Sequence, residues 1–228
     1  MTGGQFRRTK ALATWLVVLL SISLLVQVAL ILVQLTLKDA AKDFIEDNLT
    51  AAQFDDKIAV FLLVALLASI ASIAQIVLLV IWTFRLAKNN QVLGRQPQSF
   101  SPGATIAVNI LGGCTLGILN YFMWREVWSA SDPATAAGDP SWKQRAVTPL
   151  LTAYLALSLA GIAAGIAGGA RQFGGFRTSN KPSDLAKDIA DQIAVLSLSG
   201  ILAAAASAAF LVFVRQLSAR HVALTGEV

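Results

Sequence analysis

Residues 11–37 carry the sequence ALATWLVVLLSISLLVQVALILVQLTL, a run of 27 residues without a charged side chain. About 20 apolar residues are enough for a helix to cross a hydrocarbon core about 30 Å thick. Blocks of similar length and character occupy residues 58–84, 146–170 and 189–214. The four blocks predict four membrane-spanning helices.

The composition of the whole chain agrees with this prediction. Hydrophobic residues make up 56% and charged residues 14% of the 228 residues, whereas soluble domains carry about 45–50% and about 25%. So few charges cannot cover the surface of a soluble globule, which excludes a soluble enzyme, a nucleic-acid-binding domain and a secreted disulfide scaffold. We expect an all-α integral membrane protein, with residues 1–228 forming a single polytopic membrane domain.

The net charge of +5 does not indicate a nucleic-acid partner, because the basic residues stand next to the apolar blocks, as the positive-inside rule expects. Arg7, Arg8 and Lys10 precede the first block in the manner of a signal peptide. The apolar run is about twice the length of a signal sequence, however, and no cleavage site follows it. The first block is therefore predicted to be a spanning helix with a cytoplasmic N-terminus.

A fifth block, residues 104–124, is rich in glycine and follows Ser101, Pro102 and Gly103. It either spans the membrane or enters and returns as a re-entrant or interfacial segment shielded by the other helices. If it returns, eleven of the 18 Lys and Arg residues lie on the side of the N-terminus; if it spans, ten do. Because positive charge collects on the cytoplasmic side, the sequence favours four spans and one half-inserted segment, with five spans as the alternative.

The tryptophans all lie at or near the ends of apolar blocks. In the four-span arrangement they all fall on the cytoplasmic side, and amphipathic indole rings are typical of the membrane interface. The sequence therefore predicts an interfacial tryptophan belt. Its members are Trp15, Trp82, Trp124, Trp128 and Trp142.

The interiors of the spans contain no ionisable side chain. Such residues mark proton relays and ion pathways, so their absence argues against a pump or a proton-coupled transporter. The uncharged polar side chains have two interpretations: hydrogen bonds between helices, worth about 0.6 kcal/mol each, or the lining of a polar cavity. The residues concerned are Gln27, Gln34, Gln75 and Asn109.

Small residues recur at every fourth position in the last two spans. This spacing lets helix backbones approach each other closely in lipid. It predicts that the two spans pack together or that one of them mediates oligomerisation. The predicted helix-packing residues are Gly161, Gly165 and Gly169 in one span and Gly200, Ala204 and Ala208 in the other.

Side chains for catalysis or cofactor binding do not form a recognisable pattern. The one cysteine, Cys114, lies in an apolar stretch, and the one histidine, His221, stands in the C-terminal tail without a second soft metal ligand nearby. The sequence contains no nucleophile–base pair, phosphate-binding loop or metal-ligand spacing. We expect no catalytic residue, metal or cofactor, and hence no enzyme.

The segment 82–133 carries the most distinctive motifs. They comprise Trp82, Arg85, Asn89 and Gly94, then Ser101, Pro102 and Gly103, then Arg125, Glu126 and Trp128, and finally Asp132 and Pro133. This pattern resembles an uncharacterised bacterial membrane family, domain of unknown function 4328. The resemblance extends over about residues 60–215 in span layout, although members carry prolines in the middle segment where this chain has glycines. It implies an inner-membrane protein of actinobacterial type and supplies no activity.

Two of the motif charges suggest a contact at the cytoplasmic side. An ion pair between Arg85, beyond the second span, and Glu126, beyond the middle block, would clamp the middle segment against that span. The alternative is that each side chain is simply solvated or extends its charge to water.

From the sequence alone we expect a non-catalytic role. Helix faces of small residues suit partner helices, so we expect an accessory, scaffold or regulatory subunit of a larger bacterial membrane complex. The alternative is a small homo-oligomeric channel or facilitator with a polar, uncharged pathway. The expected partners are the lipid bilayer and other membrane subunits, or a second copy of the chain, but not nucleic acid. The expected location is the inner membrane, crossed several times.

Overall fold

The computed structural model describes residues 5–173 and 182–227, with side chains throughout these ranges except at 168–173. The regular elements in these ranges are all helical, which confirms the predicted all-α fold. The helices are α1 (Lys10–Ile45), α2 (Ala51–Val92), α3 (Pro102–Leu111), α4 (Ile118–Ala130), α5 (Pro149–Phe173) and α6 (Pro182–Thr225), with 3-10 turns at Gly112–Thr115 and Pro140–Gln144.

Four of the described helices are long and apolar enough to cross a bilayer. Helices α1, α2 and α6 contain 36, 42 and 44 residues, and the apolar part of α5 runs for 19 residues from Pro149 to Ala167. The prediction of four spanning helices is confirmed. Helix α5 begins slightly later than the predicted block, because proline favours the first turn of a helix.

The middle block folds into two short helices. Helix α3 contains 10 residues and α4 contains 13, and both fall short of the ~20 residues that a span requires. Between them Leu116 and Gly117 adopt left-handed backbone angles, with φ of 52° and 79°. Glycine adopts this conformation without steric cost, so Gly117 is suited to the reversal of the chain.

Contacts between the two arms show that α3 and α4 form a hairpin. The Glu126 carboxylate of α4 accepts hydrogen bonds from the backbone N–H groups of Ser99 and Phe100, at 3.0 and 3.1 Å, just before α3 begins. Near the turn, Gly112 lies so close to the Asn120 side chain that a Cβ atom would collide with it. The chain enters and leaves this segment at one place, so the middle segment is a helical hairpin and not the continuous helix of a fifth span.

The contacts within the chain define two compact units. Unit 1 comprises Met1–Ser21, Ser72–Ala156 and Ala206–Val228, and unit 2 comprises Ile22–Ala71 and Leu157–Ala205. Both termini, the α2–α3 connection and the α4–α5 connection, which the four-span prediction puts on one side, belong to unit 1. The α1–α2 connection belongs to unit 2.

The core of unit 1 is built on aromatic rings. The Trp124 ring of α4 lies 5.9 Å from the Trp82 ring of α2, measured between centroids. On its other side it lies 5.6 Å from Phe210 and 5.8 Å from Phe213 of α6. Such tilted and edge-to-face pairs add about 0.5–1.5 kcal/mol beyond the burial of their area. The hairpin is therefore anchored through Trp124 to two long helices.

Four of the five tryptophans of the predicted belt are buried in the protein and do not face lipid. Trp82, Trp124, Trp128 and Trp142 are at most 5% exposed, whereas Trp15 is 64% exposed. A ring at the end of an apolar block can face either the protein core or the lipid. Sequence position alone does not distinguish these two orientations.

The core of unit 2 contains aliphatic residues and one stacked aromatic pair. Phe44 near the end of α1 and Phe54 near the start of α2 stack with ring centroids 4.9 Å apart. Leu37, Ala41 and Ile193 are buried in the same cluster. Apolar packing therefore holds the corner between α1 and α2.

Three of the predicted packing glycines lie against neighbouring helices in unit 2. The Gly161 carbonyl accepts a hydrogen bond of 2.8 Å from the Ser199 hydroxyl of α6, and Gly165 faces the same hydroxyl. Gly200 faces Ile31 of α1 rather than α5. Helices α5 and α6 thus pack directly at the glycines of α5.

The remaining predicted packing residues are less closely surrounded. Ala204 and Ala208 are half-buried in α6. Gly169 lies in the last turns of α5, and its surroundings fall outside the described side chains. The direct contact between α5 and α6 is therefore tested best at Gly161.

Gly161→Val should destabilise the protein by about 1–3 kcal/mol, the usual cost of overpacking. A Cβ at Gly161 would already touch Leu202 and the Ser199 carbonyl oxygen at 3.5 Å, so the two branches of valine have no room. Thermal unfolding of the purified protein in mild detergent measures the loss. Ala163→Val, at an exposed position of the same helix, is the control; equal melting temperatures for the two variants would contradict the predicted contact.

Candidate functional site

Polar side chains collect in unit 1 where α2, α4 and α6 end. Helix α2 ends at Val92, and Gly94, with a left-handed φ of 70°, turns the chain so that Arg95 points back beneath α4. The Gly138 N–H donates to the Leu93 carbonyl at 2.9 Å and fixes this turn against the α4–α5 connection. We call this group the polar cap; its residues are Asn89, Arg95, Ser131, Asp132, Arg145, Arg220, His221 and Glu227.

Arg95 is the most completely enclosed charge of the cap, with no exposed surface. Its guanidinium donates to the carbonyl oxygens of Ala130 at 3.2 Å and of Thr135 and Ala136 at 2.6 Å each. Burial lowers the pKa of Arg95, and the nearby carboxylates of Asp139 and Asp132 partly offset this. Because an arginine side chain presents donors in a rigid planar fork, one residue holds the whole turn after α4.

Asp132 joins two further arginines. Its carboxylate lies 3.0 Å from Arg145 Nε and 3.1 Å from Arg220 Nη2, and it also accepts from the Thr135 hydroxyl at 3.2 Å. The Arg220 guanidinium lies 4.3 Å from the centroid of the Trp128 ring, a cation–π contact. The turn after α4, the start of α5 and the end of α6 are thus linked through one carboxylate.

His221 has no exposed surface, and its neighbours define its tautomer. The Asn89 carbonyl oxygen accepts from the Arg7 N–H at 2.8 Å, and the Asn89 amide nitrogen donates to the Arg7 carbonyl at 2.9 Å. The same amide nitrogen lies 3.0 Å from His221 Nε2, which must therefore accept. The proton then sits on Nδ1, which donates to the Ser131 hydroxyl at 3.1 Å.

The neutral state of His221 also follows from its burial. His221 stands beyond Val214, where the apolar block of α6 ends, and thus outside the membrane-spanning segment. Burial lowers the pKa of His221 to about 4, against a smaller opposing effect of the Glu227 carboxylate. A proton on Nε2 would face the Asn89 amide donor, so charging the ring removes this hydrogen bond.

Glu227 ties the C-terminal end to the start of α1. Its carboxylate accepts from the backbone N–H groups of Thr9, at 2.8 and 2.9 Å, and of Lys10, at 3.1 Å. The free N–H groups at a helix start favour a negative charge. Burial tends to raise the pKa of Glu227, but these hydrogen bonds outweigh it and the pKa is lowered.

Some of the motif residues come together in the cap and others do not. Asn89 and Asp132 are part of it, and Trp128 lies under Arg220. Ser101 instead caps α3, accepting from the Ala104 N–H at 3.2 Å. The motif residues outside the cap are Trp82, Arg85, Gly94, Ser101, Pro102, Gly103, Arg125, Glu126 and Pro133.

The suggested ion pair between Arg85 and Glu126 is not formed, because each side chain has a different partner. Arg85 donates to the Arg8 carbonyl at 2.8 Å, while the Glu126 carboxylate binds the backbone before α3. Glu126 does hold the middle segment, but through backbone N–H groups. A carboxylate near an amide-rich turn can satisfy backbone donors as well as pair with a cation, and the sequence does not reveal which it does.

Sequence reasoning missed most of the cap, including His221, Arg220 and Glu227. One signal was available, because His221 continues the helical stripe of Phe210, Val214 and Leu217, which are all buried. Spacings of three and four residues place such positions on one helix face. Arg95 and Glu227 have no comparable signal, since their partners are backbone groups.

The polar residues of the spans are distributed over both units. Gln27 and Gln34 belong to unit 2, and Gln75 and Asn109 belong to unit 1. Asn109 donates to the Thr105 carbonyl at 2.8 Å and lies 3.9 Å from Met123 Sδ, both within the hairpin. Its amide group thus contributes to the packing of α3 on α4.

The arrangement is suited to holding segments together. Within residues 5–173 and 182–227, no group of three or more His, Cys, Asp or Glu side chains could hold a metal ion. Arg95 and Arg145 of the cap donate to protein acceptors, and its one imidazole is enclosed. The cap therefore fixes the N-terminal segment, the turn after α4 and the C-terminal end to one another.

The comparisons with known proteins identify a family. The family model described as Domain of unknown function (DUF4328) matches residues 45–219, which includes the motif segment 82–133. No curated protein and no solved structure matches the chain.

Arg95→Lys should destabilise the protein by about 3 kcal/mol, since a buried charge would lose several of its hydrogen bonds. A single ammonium nitrogen cannot contact all three carbonyl oxygens that the guanidinium fork reaches. Arg215→Lys, at an exposed position in α6, is the control and should change stability by less than about 0.5 kcal/mol. Thermal unfolding in detergent compares the two, and equal small losses would show that Arg95 is not a structural anchor.

Stability should fall as the pH is lowered from 6.5 towards 4, because the unfolded state takes up a proton that folded His221 excludes. The contribution of neutral His221 is fully present above pH 6.5 and is lost on the way to its folded pKa, with a limiting slope of ~1.4 kcal/mol per pH unit. The lowered pKa of Glu227 acts below its ordinary value of 4.5. Melting temperatures measured between pH 4.5 and 6.5 therefore report the protonation of His221 rather than that of Glu227. His221→Gln should flatten the dependence of the melting temperature on pH in this range. An unchanged slope in that variant would refute the assignment to His221.

Proposed function

The chain belongs to the family of domain of unknown function 4328, and on that premise we propose that it is a non-catalytic accessory, scaffold or regulatory subunit of a larger bacterial membrane complex. In this proposal it resides in the inner membrane of an actinobacterial-type cell with its N-terminus in the cytoplasm. Eleven of its 18 Lys and Arg residues lie in the termini and connections of unit 1, which supports a cytoplasmic position for that unit.

The observation that carries the proposal is the exposure of α2. None of the residues in its most apolar 18-residue window is buried, whereas α1 and α6 each bury 17% of theirs. Leu62 and Leu66 of α2 are 58% and 57% exposed. The middle of α2 thus offers an apolar surface that contacts within the chain do not use.

A pattern of small residues on α2 favours a helix as the partner. Ser69 is exposed, and its hydroxyl bonds to the Ala65 carbonyl one turn earlier at 2.9 Å. Small residues four positions apart let a second helix approach closely. Gly161 and Gly165 of α5 are already packed against α6, so α2 is the small-residue face that we assign to the partner.

The interior of the protein provides little for chemistry or transport. The spanning blocks lack ionisable residues in their interiors, and the enclosed arginine of the cap donates to backbone carbonyls. Charged groups that move ions or protons through a membrane need a pathway and a partner within it. These observations favour a structural or regulatory role.

The proposal predicts that a tagged chain, purified from its native membranes in mild detergent, retains a stoichiometric membrane partner identifiable by mass spectrometry. Ser69→Leu should reduce the recovered partner at least about tenfold, because the added volume separates helices that pack closely. Ala29→Leu, at an exposed position of α1, makes a similar change on another span and should retain the partner. Equal recovery from the two variants, or no partner above background, would contradict the proposal.

A small homo-oligomeric channel is the second candidate. Three buried polar atoms of unit 2 favour it: Ser23 Oγ, Gln34 Oε1 and Ser197 Oγ have no hydrogen-bond partner among the described residues. Buried polar atoms are normally satisfied by protein or water, and a water-filled route would supply the water. A homo-oligomer without a second protein, together with solute flux in liposomes, would favour the channel over the accessory subunit.

A further inference from the structure

Unit 1 contains an open cavity of about 210 Å³ between the hairpin and the α4–α5 connection. Its wall has an apolar part, formed by Phe100 and Phe122, and a polar part. The polar part contains Arg125, Lys143 and Trp142. The polar cap described above does not include any of these side chains.

The charged side chains of this wall differ in whether they already have hydrogen-bond partners within the protein. The Glu126 carboxylate also lines the cavity, but it is occupied by the N–H groups of Ser99 and Phe100. Arg125 and Lys143 are exposed, and neither forms an ion pair with a described residue. The cavity therefore presents two cations outside any ion pair against one carboxylate, and its wall keeps a net positive charge.

Trp142 lies beside Lys143 in the cavity wall. The residue is 1% exposed, and Lys143 Nζ lies 5.5 Å from the centroid of its ring, a cation–π contact. The exposed Arg125 and Lys143 side chains are thus the groups of the wall that can reach a ligand. Two such cations suit a phosphate oxyanion.

The apolar part of the wall indicates what the phosphate is attached to. Phe122 is 47% exposed on α4, inside the apolar block that ends immediately before Arg125. A cation at the end of an inserted apolar segment lies at the level of the lipid headgroups, and basic pockets at that level bind anionic lipids. We propose that this cavity binds the phosphate-containing headgroup of an anionic phospholipid, with its acyl chains along Phe122.

The site can be tested by titrating the purified full-length protein in detergent with phosphatidylglycerol and following the melting temperature. Phosphatidylglycerol should raise the melting temperature at lower concentrations than phosphatidylcholine does. Arg125→Gln and Lys143→Gln should each weaken the apparent affinity about fivefold, which corresponds to ~1 kcal/mol per basic side chain near an anionic surface.

Arg215→Gln is the matched control, because Arg215 is exposed directly after the apolar block of α6 and does not line the cavity. It should leave the affinity for phosphatidylglycerol unchanged. A loss equal to that of Arg125→Gln would show a general charge effect and overturn the site. Inorganic phosphate is titrated in parallel, and stabilisation by phosphate alone with the same dependence on Arg125 and Lys143 would overturn the assignment to a lipid. The lipid titrations use the purified chain alone, so their outcome is independent of whether a partner protein co-purifies with it.

Discussion

The closure of the α3–α4 hairpin by Glu126 is the contact on which the organisation of unit 1 depends. Inside a bilayer each backbone N–H group needs a hydrogen-bond partner. A segment that is too short to span must therefore return to the side from which it entered, with its backbone groups paired. The two helices satisfy their own backbones, and the carboxylate satisfies the N–H groups of Ser99 and Phe100 at the point of return. Because the chain comes back to where it entered, the end of α4 lies beside the end of α2.

The polar cap is a consequence of that return. Arg95 reaches the turn after α4 because the end of α2 and the end of α4 lie side by side. The turn presents three carbonyl oxygens to the Arg95 guanidinium. A buried cation is tolerated when its hydrogen bonds are made. His221 is buried in the neutral form instead, and its two ring nitrogens are also hydrogen-bonded. Nε2 accepts from Asn89 and Nδ1 donates to Ser131. The termini are held there by backbone N–H groups and side-chain oxygens.

The sequence predicted the features that depend on local composition along the chain. It did not predict the features that depend on the direction in which a side chain points. Runs of apolar residues identified the four spans, because the length of an apolar run is read directly along the chain. The hairpin agrees with the four-span arrangement that the charge count favoured. The tryptophans and Glu126 were predicted in the wrong surroundings, because a side chain at a helix end can turn to lipid, core or backbone. His221 was missed although its helical spacing from Leu217 placed it on the buried face. Glu227 was missed because its partners are main-chain groups, which no residue pattern marks.

The exposure of α2 alone does not distinguish lipid from a partner helix, but its residue choice favours the partner helix that we propose. Lipid tails contact leucine and isoleucine at least as well as serine, so a lipid-facing helix gains nothing from small side chains. Ser69, one turn after Ala65, reduces the apolar area of the face to which it belongs and leaves its hydroxyl bonded to its own helix. Close approach of a second backbone requires that arrangement. The same reasoning applies to α5, where Gly161 already receives the Ser199 hydroxyl of α6, and it is why α2 is the helix to which we assign the partner.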